Sequence, residues 1–129
     1  MKETVLLFNI QDEARLRGLK RILMLMKVRV RVVKKDEYLQ PVGFLAGVKE
    51  LEAEQPVYEG EELDNEMMVM AGFSSSQVDL LLAQMRKAKL TRMNYKAILT
   101  PTNMNWTVPQ LYEELKKEHD YVTQMHSQK

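Results

Sequence analysis

Three groups of side chains in this sequence are spaced for chemistry. Ser74, Ser75 and Ser76 follow Gly72-Phe73 and open a helical pattern. Backbone amides at such a start, with the helix dipole behind them, cradle a phosphate or a carboxylate. Thr100, Thr102, Asn103 and Asn105 crowd one short loop before Trp106. Uncharged donor–acceptor groups at that density can read a polar ligand. Asn9 closes the first apolar run, where a third polar group would face the same loops. Each group also has a plain structural reading. Ser74 serves as a helix cap, and Asn and Thr are common turn formers. No glycine-rich loop precedes the serines, so there is no phosphate-binding signature.

Other chemistries find no support. Cysteine is absent, which removes thiolate nucleophiles and cysteine-based metal centres. His119 and His126 lie two helical turns apart, too far to share a metal without further ligands. Asp12 and Glu13 are adjacent at a helix start and point apart, so they do not form an acid/base pair. No catalytic residue, metal site or cofactor is expected, and the reading leans away from an enzyme.

The candidate residues must be positioned by elements that the hydropathy pattern defines. Thr4–Phe8 and Met67–Ala71 are continuous apolar runs, as in strands buried on both faces. In Lys27–Lys35, Val28, Val30 and Val32 alternate with Arg29 and Arg31, as in a half-buried edge strand. Tyr95–Thr100 is a fourth strand of mixed pattern. Asn9 is expected to cap the first helix, with Asp12 at its third position. Leu16, Leu19, Ile22, Leu23 and Met26 give that helix one apolar face. Phe73-Ser74-Ser75-Ser76-Gln77-Val78 and Trp106-Thr107-Val108-Pro109-Gln110-Leu111 share one layout, which is a capping box inside a hydrophobic staple. They open a helix ending near Lys89 and another from Thr107 to about Tyr121. Asp36–Glu50 is ambiguous: its apolar spacing is helical, but Pro41, Gly43 and Gly47 weaken it. Met24, Met26, Met67, Met68, Met70 and Met85 are expected in the core as adaptable packing.

The alternation βαβαβαβα implies an α/β fold, with a four-stranded, mainly parallel sheet and helices on both faces. The all-apolar first and third strands belong in the centre and the other two at the edges, giving order 2-1-3-4. The alternative is a two-layer α+β sandwich, which would tolerate Arg29 and Arg31 on an open face. In the parallel arrangement the ligand crevice lies at the carboxyl ends of strands one and three. That would gather Asn9, Ser74–Ser76 and the Thr100–Asn105 loop.

Residues 1–129 are expected to form a single domain. Residues 53–66 form an acidic loop or linker within it, and residues 123–129 a frayed tail. Net charge is +1. From Ala14 to Lys35 every charged residue is basic, and from Lys49 to Glu66 every one but Lys49 is acidic. Mutual neutralisation of the two stretches is preferred to nucleic-acid binding. No apolar run approaches the roughly 18 residues of a membrane span.

Met67-Met68-Val69-Met70-Ala71-Gly72-Phe73, Lys96-Ala97-Ile98-Leu99-Thr100-Pro101-Thr102-Asn103, Trp106 and Glu114–His119 together resemble a family of small bacterial proteins known as a domain of unknown function. The likeness is strongest from Lys96 to Trp106. It implies a stand-alone bacterial cytoplasmic protein and carries no activity with it. The expected function is a non-enzymatic module that binds a small molecule or protein through loops at the strand carboxyl ends, and a homo-oligomer is compatible with it. The alternative is an enzyme or carrier for a small anionic compound at Ser74–Ser76.

Overall fold

The structure, a computed structural model, describes residues 2–48, 51, 56–90 and 93–127. Parts of three expected segments therefore lie outside the described residues: 49–50, 53–55 and 128–129. Strands β1 (Thr4–Phe8), β2 (Arg29–Val33), β3 (Met67–Ala71) and β4 (Tyr95–Ile98) form one sheet in the order β2-β1-β3-β4. β1 and β3 are buried along their whole length, which is why they occupy the centre.

The sheet is mixed, and this corrects the expectation of a mainly parallel one. β1 runs parallel to β2, and β3 parallel to β4, but β1 and β3 are antiparallel, with Thr4 opposite Ala71 and Phe8 opposite Met67. An apolar strand with both faces covered reads the same in either direction, so its residues do not reveal which way it runs. The connection from Val33 to Met67 starts and ends at one end of the sheet, because Phe8 pairs with both residues.

Helices cover both faces. α1 (Glu13–Leu25) and α3 (Ser75–Lys87) pack on one, where Leu19, Leu23, Leu81 and Met85 meet Val5, Leu7, Met68 and Met70. The other face carries a 3-10 turn (Lys35–Glu37), a short helix α2 (Val42–Leu45) and α4 (Val108–Ser127). Tyr38, Val42, Leu45, Val108, Leu111 and Tyr112 bury Leu6, Phe8 and Val69 there. The ambiguous stretch from Asp36 thus folds as two short turns of helix, with Pro41 at the N-cap of α2.

Three residues expected in other roles are placed differently. Asp12, not Asn9, caps α1, accepting from the amides of Ala14 and Arg15 at 2.9 and 3.1 Å. Asn9 adopts a left-handed backbone (φ 58) that the helix-capping role does not allow. Met24 is 68% exposed, because it falls on the outer side of α1. The other five methionines expected in the core are buried or packed against it.

The fold is a pair of βαβ units, β1-α1-β2 and β3-α3-β4, related by an approximate twofold axis normal to the sheet. Two antiparallel central strands with both crossover helices on one face require that relation. The local geometry repeats as well. α1 and α3 each have 13 residues. Each ends in a left-handed lysine, Lys27 (φ 59) and Lys89 (φ 60). Behind them Val28 and Leu90 donate their amides to Leu23 and Met85 at 3.0 and 2.8 Å, closing the same helix-terminating motif.

Candidate functional site

β4 is an edge strand. The amide of Leu99 donates to Met70 at 2.9 Å. Backbone groups alternate along a strand, so residues 95, 97 and 99 turn theirs towards β3. Lys96 and Ile98 then turn theirs outward, to the free edge. Their side chains fall on the α3 face, opposite Met68 and Met70, while Ala97 falls on the α4 face, opposite Val69.

The loop after β4 is built to a fixed shape. Asn103, 9% exposed, ties it together. Its Oδ1 accepts from the Thr100 amide at 2.9 Å, its Nδ2 donates to the Ile98 carbonyl at 3.0 Å, and its own amide donates to the Thr100 hydroxyl. α2 holds the loop from the other side, since Gly43 and Val42 donate to the carbonyls of Met104 and Trp106, each at 2.8 Å. A Cβ on Gly43 would lie 2.9 Å from the Met104 carbonyl, so this close approach requires glycine. Trp106 is thereby set half-buried in front of α4. Thr107 and Gln110 exchange bonds as the expected capping box.

Between this loop, the free edge of β4 and α4 lies a groove of about 370 Å³, lined among others by Lys96, Ala97, Ile98, Trp106, Glu114 and Glu118. Trp106 and Glu114 also line an adjoining hollow of about 490 Å³, with Pro109, Gln110 and Glu113. The rim is mostly acidic. Glu114 makes an exposed pair with Lys117 at 3.3 Å, a weak constraint in water. Lys96 borders the groove, with its side chain on the α3 face. Its Nζ donates to the Met93 carbonyl, and burial holds its pKa below the usual lysine value. Ile98 is 46% exposed.

The structure divides the residues singled out from the sequence. Thr100, Thr102, Asn103 and Trp106 line the β4 groove, and Asn105 is exposed in the same loop. Ser74 is taken up in a capping box with Gln77, and Ser75 and Ser76 are exposed in the first turn of α3. Asn9 lies at the opposite end of the sheet, as the antiparallel β1–β3 pairing dictates, so the expected crevice does not form. Its Nδ2 donates to the carbonyls of Leu63 and Asn65, pinning the chain before β3. Asn9 also lines a polar pocket of about 320 Å³ with Gln11, Asp12, Asp64, Asn65 and Glu66. The charges there are largely paired: Glu66 accepts from Arg15 at 2.8 and 2.9 Å. That pair joins the basic and acidic stretches of the sequence. Among the described residues, no three His, Cys, Asp or Glu side chains are grouped to hold a metal ion.

The groove residues that the sequence did not single out as a site are Lys96, Ala97, Ile98, Leu111, Glu114, Leu115 and Glu118. A signal existed: an edge strand beside a helix with Glu at i and i+4 defines a lined groove, but strand direction was needed to place them.

Residues 66–122 match the family model of a domain of unknown function (DUF3783). The match lies in the C-terminal half of the chain. The matched stretch takes in β3, α3, β4 and α4 as far as Val122, and with them every residue named in the groove. No curated protein and no solved structure matches the chain significantly. No helix among the described residues is long and apolar enough to cross a membrane.

Proposed function

We propose that this protein is a binding module that takes an extended segment of a partner protein into the groove along β4. The observation that carries this reading is the outer edge of β4, which turns the Lys96 backbone groups and the Ile98 amide towards a groove walled by Trp106 and α4, the Ile98 carbonyl being held by Asn103. A segment added there gains main-chain hydrogen bonds from the edge and side-chain contacts from the groove. The pre-shaped loop supports it, because an ordered receptor loses little entropy on binding. The acidic rim favours a partner segment that carries positive charge. The groove lies at the carboxyl end of β4, beside the polar loop.

The reading is tested by selecting random displayed peptides on the full chain. Enriched peptides are expected to lose binding to Trp106→Ala and to Ile98→Pro. The second substitution removes the outward amide while sparing the ladder to β3, since proline is tolerated at an edge position whose amide faces away. Selected peptides that bind both variants as well as the parent would overturn the reading.

A further inference from the structure

The approximate twofold axis supplies the identity of the occupant. On the face that carries α2 and α4, one row of paired residues crosses the sheet as Arg31, Leu6, Val69 and Ala97. The axis passes between Leu6 and Val69, so Arg31 and Ala97 are equivalent positions at the two edges. At the β2 edge the Arg31 side chain fills the space beneath the covering segment. Its Nη1 donates to the Leu45 carbonyl at 3.2 Å and its Nη2 to the Glu37 carboxylate. At the β4 edge alanine stands in that place, and the groove is open. Glu114 and Glu118, one turn apart on α4, line it as Glu37 lines the other.

We infer that the groove takes an arginine side chain, presented by an extended partner segment with aliphatic residues on either side of it. The inference rests on the β4-edge reading proposed above. A strand laid against β4 alternates its side chains between the two faces. Its arginine enters over Ala97 and meets Glu114 and Glu118. The neighbouring residues fall on the other face, beside exposed Ile98. Lys96 is on that other face too, with its Nζ turned to Met93, so it does not confront the arginine. Arginine is favoured over lysine because a planar fork donates to a carboxylate and to a carbonyl at once, as Arg31 does.

The probe is the blocked peptide acetyl-Thr-Val-Arg-Val-Thr-amide, titrated into the full chain and followed by emission of its single tryptophan, Trp106, and by the backbone amide resonances. Companion peptides carry lysine or uncharged, near-isosteric citrulline at the centre. The arginine peptide is expected to bind about tenfold more tightly than either companion, as a lost charge-assisted bond implies. Glu114→Gln with Glu118→Gln is expected to erase that preference. Ala97→Arg is expected to fill the groove and abolish binding. Equal affinities for all three peptides, with shifts at Lys96 and Ile98, would overturn the arginine assignment and leave the edge reading standing. No shift at Lys96 and Ile98 with any peptide would overturn both.

Discussion

Asn103 shows how one side chain can look like a ligand reader and act as a brace. All its described bonds run to its own loop and to the end of β4. Asn103→Ala would remove the partners of the Thr100 amide and the Ile98 carbonyl and empty the buried place of the Asn103 side chain. The expected cost is about 1–2 kcal/mol, measured by urea unfolding, since groups on exposed residues recover part of a lost bond from water. A loss below about 0.5 kcal/mol would mean that the loop does not depend on this residue. Gly43→Ala is expected to be destabilising by about 1–3 kcal/mol for a different reason. The added carbon collides with the backbone carbonyl of Met104, which cannot swing aside as a side-chain tip would. Its effect should extend to Trp106 emission, because α2 and the loop share those hydrogen bonds.

At the scale of elements, the helix ends carry the clearest prediction. Lys27 and Lys89 hold left-handed backbones that cost a side chain of this type about 1 kcal/mol and glycine almost nothing. Lys27→Gly and Lys89→Gly are each expected to raise stability by roughly 0.5–1 kcal/mol, seen as a higher midpoint of thermal unfolding. The usual glycine is missing from both termini, so the sequence placed the end of α3 near Lys89 but did not show the left-handed turn there. The start signals were far more legible. Phe73–Val78 and Trp106–Leu111 wrote out both capping boxes, and α3 and α4 begin inside them, directly after Ser74 and Thr107. At the start of α1, Asn9 and Asp12 are both good caps by residue type. Only the tertiary bonds of Asn9 to Leu63 and Asn65 decide between them.

At the scale of the whole molecule, strand order was readable and strand direction was not. Burial on both faces marks β1 and β3 as central whichever way they run. The antiparallel pairing then separates Asn9 from Ser74, and it also creates the twofold relation that the groove argument uses. The repeat was hidden because its halves share geometry rather than residues: Asp12 stands for Ser74 as cap, and Arg31 for Ala97. Buried tyrosine shapes the pH response of the molecule. Burial first, and then the Glu62 hydrogen bond, hold Tyr38 protonated far above the ordinary tyrosine value of 10.0. In the unfolded chain it ionises near that value. Above about pH 10 the unfolded state therefore releases a proton that the native state keeps, and stability falls as pH rises. Lys96, whose pKa is lowered by burial, acts in the opposite sense just below its ordinary value. Tyr38→Phe is expected to flatten the alkaline fall in stability, and an unchanged slope would assign that fall to other groups.

The central claim is that the free edge of β4 receives a partner strand. Hydrogen exchange of the backbone amides of Lys96 and Ile98, with and without a saturating selected peptide, tests it most directly. Both amides are expected to slow by at least about tenfold on binding, because each gains a hydrogen bond and loses contact with water. Unchanged exchange at both positions while the peptide is bound would contradict the account.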